Sequence, residues 1–262
     1  MKKIILKIFL FIVVFTSIQI KADDDLDLIT QIIIPIISAN KAKESQPVSV
    51  IKGEWFLGGS DLQEHHTWDG MISLDSLGLL ESGILNSSSG SSTSFTNSTL
   101  TVDGSGKVSG TLTEDGVATG YTMQLNEQKD FMAGEGNATD GTESGLYVFI
   151  KKSTGHSAAD LQGVWFLGGS DIPEHHTWDG IVSFDSSGSL ISGTLNSSSG
   201  SSTSFTNSTL TVDASGKVTG TLTEDGVATG YTMQLNEQKN IIAGEGNATD
   251  GNEGGMFIFV KQ

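Results

Sequence analysis

Residues 99–130 read TLTVDGSGKVSGTLTEDGVATGYTMQLNEQKD, and this stretch decides the fold. Tyr121, Met123 and Leu125 alternate with Thr122 and Gln124, the period-two pattern of a strand with one wet face. Asp103-Gly104-Ser105-Gly106 supplies residues that tolerate positive φ, so the threonine-rich runs on either side are expected to form a tight hairpin. Asn126–Lys129 (NEQK) joins Tyr121–Leu125 to Phe131–Gly134 in the same way. No helical period lasts long enough to compete. Extending the pattern outward gives eight strands, near Gly53–Gly58, Gly70–Asp75, Leu79–Asn86, Phe95–Val102, Lys107–Thr113, Thr119–Asn126, Asp130–Gly136 and Leu146–Lys151. Hairpin connections throughout imply an up-and-down meander. Eight strands can close on themselves and so remove the exposed edges that make a threonine-rich sheet prone to aggregate. The expected class is all-β, an antiparallel eight-stranded barrel, with a β-sandwich as the alternative.

The whole unit occurs twice. At an offset of 110 positions, Gly53–Lys151 aligns with Gly163–Lys261 at 78 of 99 identical residues. Between Asn86 and Lys129 only Gly104/Ala214 and Ser109/Thr219 differ. About 100 residues suffice for one independent core, so each copy is expected to be a domain. The chain divides into a signal at 1–22, an extension at 23–50, a first repeat at 51–152, a polar linker at 153–162 and a second repeat at 163–262. The signal has Lys2 and Lys3 before the apolar run Ile4–Val14 and ends on the small residue Ala22, which predicts export to the periplasm or the exterior of a bacterium. The extension carries Asp23, Asp24 and Asp25, then ITQIIIPII at 29–37 with Pro35 inside it, and is expected to pack on a domain or partner, with a short self-association strand as the alternative.

Charge and composition narrow the partners. Lys2, Lys3, Lys7 and Lys21 fall in the signal, leaving 10 lysines against 31 acids, a net charge of −21, and the chain has no arginine. Such a surface repels phosphate, so nucleic acid is excluded as a partner. No later run of about 20 apolar residues follows, so no transmembrane span is expected. The absence of cysteine removes disulfides, thiolate metal sites and cysteine nucleophiles. An unknown extracellular or periplasmic protein, a glycan or a small molecule remains as partner.

Each repeat opens with Gly-x-Trp (Gly53, Trp55; Gly163, Trp165) and closes an apolar strand with lysine (Lys151; Lys261). In this it resembles the calycins, the lipocalin and avidin-type barrels. The resemblance implies a first-strand indole closing one barrel end beneath a basic residue of the last strand. It also implies a carrier of small apolar ligands, whose mouth Trp68, Tyr121, Met123 and Phe131, with Trp178, Tyr231 and Met233, would line. Small exported protease inhibitors share a similar barrel and opening.

Other candidate sites follow from residue type. Glu64-His65-His66-Thr67-Trp68-Asp69 recurs as Glu174-His175-His176-Thr177-Trp178-Asp179, in an expected loop between the first two strands. Imidazoles beside a carboxylate suit Zn²⁺ or Cu²⁺ if both rings turn to one side. The bland reading is a polar loop whose tryptophan caps the barrel. Glu135 and its counterpart Glu245 sit between glycines on a strand; pointing inward, either would be a buried general acid or a ligand anchor. No Gly-x-Ser-x-Gly elbow accompanies the serines of 86–94, which read as a flexible loop. Val108 stands where a phosphate loop needs Ser or Thr. The expected function is therefore a non-enzymatic, cofactor-free binding or structural module. A lipocalin-type carrier, a protease inhibitor and a metal-binding protein are the alternatives.

Overall fold

Both expected hairpins form, each fixed by one side-chain acceptor. Asp103 Oδ1 accepts from the backbone N–H of Ser105 at 2.8 Å and of Lys107 at 3.0 Å, and Gly106 takes φ +82°. Asn126 Oδ1 likewise accepts from Asp130 N at 3.0 Å and Phe131 N at 3.1 Å. Local hydrogen bonds of this kind are what Asx residues contribute to turns. The computed structural model describes residues 48–61, 66–141, 144–171, 176–249 and 254–262. The signal and residues 23–47 of the extension lie outside the described residues.

The first repeat forms β1 (Gly53–Asp61), β2 (His66–Leu74), β3 (Leu80–Ser87), β4 (Ser92–Ser98), β5 (Thr101–Val102), β6 (Lys107–Glu114), β7 (Val117–Leu125), β8 (Phe131–Ala138) and β9 (Ser144–Lys151). Consecutive strands pair antiparallel except β4 and β5; β1 also pairs with β9, and β4 passes over β5 to pair with β6. Eight strands thus close into a barrel, with the two-residue β5 as a spur on β6. The second repeat does the same with β10 (Gly163–Asp171), β11 (His176–Phe184), β12 (Leu190–Ser197), β13 (Ser202–Ser208), β14 (Thr211–Val212), β15 (Lys217–Glu224), β16 (Val227–Leu235), β17 (Ile241–Ala248) and β18 (Gly254–Lys261). The protein is a tandem of closed eight-stranded antiparallel barrels, not sandwiches.

Two local readings need correction. The strand expected at Phe95–Val102 is broken between β4 and β5, because Gly110, at φ +140°, brings its backbone against Thr99 where any Cβ would collide. The loop read over the serine run shortens to a four-residue turn: β3 ends at Ser87 and β4 begins at Ser92, with Ser87 N donating to Ser91 O at 2.9 Å across the turn.

The closed end of each barrel has the geometry that the Gly-x-Trp and lysine positions imply. Trp55 pairs in register with Lys151, whose Nζ lies 5.7 Å from the indole centroid; in the second barrel Lys261 lies 5.1 Å from Trp165. Gly53 and Gly163 adopt φ +120° and +124°, and a Cβ at either would sit 3.2 Å from the lysine Cε. A short 3-10 turn before each barrel plugs the end. Val48–Ile51 buries Ile51, whose carbonyl accepts from Trp55 Nε1 at 2.7 Å; Ala158–Leu161 buries Leu161, which accepts from Trp165 Nε1 at 2.7 Å.

The segment read as a linker is therefore docked on the second barrel. Lys239 Nζ reaches Asp160 Oδ1 at 3.0 Å and Gly155 O at 3.2 Å, while Lys261 Nζ donates to Asp160 O at 2.9 Å. His156 is buried against Gly216, with Nε2 2.6 Å from Ser153 Oγ. Its Nδ1 has no hydrogen-bond partner and stands 3.8 Å from Asp160 Oδ2. Burial, and then the nearby Lys239 charge, hold this imidazole below its ordinary pKa, against the opposing pull of Asp160, Asp213 and Glu237. A histidine whose pKa the fold lowers contributes its stability in full above an unfolded pKa of about 6.5. That contribution falls as the pH drops below it, because the unfolded chain then takes up the proton more readily than the folded one. Urea midpoints taken from pH 8 to pH 5 are expected to fall for the wild type and to fall less for His156→Gln.

Candidate functional site

Barrel interiors come first, since a carrier needs room there. Inward positions of the first barrel carry Trp55, Leu57, Ile72, Leu85, Tyr121 and Phe149, packed in one buried cluster with their neighbours. The residues expected to line an open mouth are part of that packing. Tyr121 meets Tyr147 edge-to-face at 5.1 Å and Phe149 at 5.7 Å; Tyr231 meets Phe257 and Phe259 at 5.3 and 6.0 Å. Met123 and Met233 are buried in the same cores. Tyr147 lies flat over a glycine, since a Cβ on Gly136 would stand 2.6 Å from its ring. Phe131 departs from the reading: it faces out of the barrel and packs between the two repeats.

The histidine segment is not wholly a loop. His66 and Thr67 open β2, so their side chains take opposite walls, and His66 shares its wall with Trp68, edge-on at 6.5 Å. His176 and Trp178 repeat this at 6.5 Å. Glu64, His65, Glu174 and His175 lie outside the described residues. Among the described residues no group of three or more His, Cys, Asp or Glu is placed to hold a metal ion. Trp68 Nε1 is buried with no hydrogen-bond partner.

The inward reading of Glu135 and Glu245 is also corrected. Both alternate with inward-facing positions and project from the outer wall: Glu135 is exposed, whereas Glu245 is buried because it faces the other barrel. There it accepts from Thr67 Oγ1 at 2.6 Å. Asn247 Oδ1 lies 3.2 Å from the same hydroxyl, but one hydroxyl hydrogen serves one acceptor and the shorter contact takes it.

This bond belongs to a seam that sequence reading missed. Outward apolar residues of β8 and β9 (Phe131, Ala133, Leu146, Val148, Ile150) bury with Ala243 and Met256 of β17 and β18. Gly58 of β1 lets the walls approach closely, since a Cβ there would lie 2.9 Å from Gly244 Cα. At one edge Asn236 Nδ2 donates to Asp130 Oδ2 at 3.0 Å. The signal was present: LYVFI at 146–150 and MFIFV at 256–260 are continuous apolar runs, the mark of strands covered on both faces.

Electrostatics at the seam disfavour the charged carboxylate. Burial pushes the Glu245 carboxyl above its ordinary pKa, aided by Asp69 and opposed by the Thr67 and Asn247 hydrogen bonds and by Lys217. Burial raises Asp69 as well, against a hydrogen bond from Asn86 and the Lys217 charge. A carboxyl raised in the fold penalises folding in full above its folded pKa, and the penalty disappears as the pH falls below its unfolded value. Glu245→Gln keeps an acceptor for Thr67 and removes the charge. The variant is expected to unfold at a urea concentration equal to or above that of the wild type at pH 7, with the gain vanishing in acid. Glu135→Gln, at an exposed position, is expected to change neither.

No protein-family model matches the chain, and none of the curated proteins compared with it matches. Solved structures do resemble it in shape. A de novo designed fluorescence-activating β-barrel aligns at 17% identity over 41% of this chain and 100% of its own, with a TM-score of 0.35. Isotype 1 transferrin binding protein B from serogroup B Neisseria meningitidis aligns at 9% identity over 75% of this chain and 52% of its own, with a TM-score of 0.31. A putative ATTH from Nitrosomonas europaea aligns at 9% identity over 79% and 91%, with a TM-score of 0.29. These likenesses bring no activity or ligand to this chain.

Proposed function

We propose that this protein is an exported, non-enzymatic binding or structural module that works through the outer walls of its two docked barrels. The observation that carries the reading is the filling of both interiors by the barrels' own aromatic and aliphatic side chains, which gives the outer wall to any partner. Those walls are rich in Ser and Thr hydroxyls that already bond to one another, such as Thr99 to Thr111 at 2.9 Å and its copy Thr209 to Thr221 at 2.9 Å. A wall of this kind offers a partner hydroxyl donors and acceptors over an acidic background, which suits a polar protein surface or a glycan more than an apolar small molecule. The duplication does not give two equal binding faces, because the seam covers different parts of the two barrels.

A titration with a dansylated fatty acid and with anilinonaphthalene sulfonate, followed by tryptophan fluorescence, separates this reading from the carrier. The expected result is no saturable quenching of the native protein. Saturable uptake with a stoichiometry of one or two per chain, abolished by Tyr121→Trp or Tyr231→Trp, would establish the carrier instead.

A further inference from the structure

The apolar part of the seam brings the equivalent strands β8–β9 and β17–β18 together, whereas its polar part joins unlike faces, β1 and β2 of the first barrel with β17 of the second, and leaves the other copy of each of these faces outside it. The first barrel contributes a socket of Phe56, Gly58, Ser60 and Thr67 on β1 and β2; the second contributes a knob of Glu245 and Asn247 on β17. All six residues recur unchanged in the other copy, as Phe166, Gly168, Ser170 and Thr177 on the second barrel and as Glu135 and Asn137 on the first. Each recurring residue is more exposed than its twin. Thr67 is 2% exposed and Ser60 0%, whereas Thr177 and Phe166 are only half-buried, and Ile181 beside them is 44% exposed. A Cβ on Gly58 would strike Gly244, yet one on Gly168 would meet nothing within 4 Å. Glu135 and Asn137 face solvent, whereas Ser170 Oγ is buried without a hydrogen-bond partner just as Ser60 Oγ is in the filled socket.

We infer that the spare socket on the second barrel receives the spare knob on the first barrel of a second copy. The occupant is fixed by sequence identity: the one surface that this socket's twin is seen to hold is the Glu245–Asn247 knob, and Glu135–Asn137 is that knob repeated. The contact is heterologous, so nothing in it limits assembly to a dimer, and copies add head to tail. It is weaker than the seam within one chain. Phe131, Ala133, Leu146 and Val148, which surround the first barrel's knob, are already buried in the chain's own seam, so the contact between chains has less apolar area to bury. The net charge of −17 opposes association, so added salt strengthens it.

Sedimentation equilibrium of the full chain, from micromolar to millimolar concentration at low and high salt, tests this. The average mass is expected to rise with concentration and salt, passing that of a dimer. Glu135→Lys blocks the knob and Gly168→Leu blocks the socket; each is expected to hold the chain at its monomer mass of 27.6 kDa while leaving its urea midpoint unchanged. Mixing the two variants is expected to restore association as far as a dimer and no further, since one brings an intact socket and the other an intact knob. Thr177→Glu, which keeps the backbone glycine, is expected to behave as Gly168→Leu does. A wild type that stays monomeric throughout would overturn the inference. So would self-association that Glu135→Lys leaves intact, or variants that remain monomeric when mixed.

Discussion

Replacing Trp165 with alanine is expected to destabilise the second barrel by about 3–5 kcal/mol, the range for deleting a fully buried aromatic side chain. The indole is completely buried, spans the barrel floor and donates to the Leu161 carbonyl of the plug at 2.7 Å. Its face carries the Lys261 ammonium at 5.1 Å, and that lysine in turn donates to Asp160 O at 2.9 Å. Removing the ring therefore leaves a cavity, unpairs a plug carbonyl and frees the lysine that ties the last strand to the plug. Trp55→Ala is expected to act alike on the first barrel, through Ile51 and Lys151. Urea unfolding of each variant, read by circular dichroism, checks the size. A loss below about 1 kcal/mol, the level of an ordinary surface change, would mean the tryptophan does not close the barrel.

Gly58→Leu and Gly168→Leu are the same substitution in two copies of one strand, and they are expected to differ sharply. At Gly58 the new side chain enters the seam, where even a Cβ would lie 2.9 Å from Gly244 Cα, so the barrels must separate or deform. Overpacking of this kind costs about 1–3 kcal/mol, and loss of the seam also exposes Phe131, Leu146 and Val148. At Gly168 nothing stands within 4 Å, and the change is expected to stay within about 0.5 kcal/mol. Thermal unfolding of both variants at low protein concentration measures the difference. Equal effects would show that the two first strands have equivalent surroundings.

Much of one barrel was legible in the sequence and almost none of the join between two. Alternation in Tyr121–Leu125, the Asp103 and Asn126 turns and the Gly-x-Trp opening each express a local rule, a period or a dihedral preference, and each is satisfied within a few residues or between neighbouring strands. The β4–β5 break depends instead on Gly110 lying against Thr99 across the sheet, a contact with no local signature. Glu135 and Glu245 show the limit most clearly. Their sequence context is nearly identical, yet one is exposed and the other buried, because burial here is set by the neighbouring barrel. The glycines flanking each glutamate suggested an inward side chain. In fact the pleat turns the glycines in, where Gly136 makes room for the Tyr147 ring, and the glutamate out.

The unlike-face contact between Thr67 and Glu245 sets how the two barrels dock and is the claim on which the association between copies depends, and the chain's lack of cysteine makes it directly accessible. The pair Thr67→Cys/Glu245→Cys places thiols where the two side chains now bond at 2.6 Å; the pair Thr177→Cys/Glu135→Cys places them at the sequence-equivalent positions. Each double variant is treated with a short bismaleimide at low protein concentration and mapped by peptide mass spectrometry. The expected result is a rapid crosslink within one chain for the first pair and none within one chain for the second. Equal intrachain crosslinking of both pairs, or of the second alone, would contradict the arrangement.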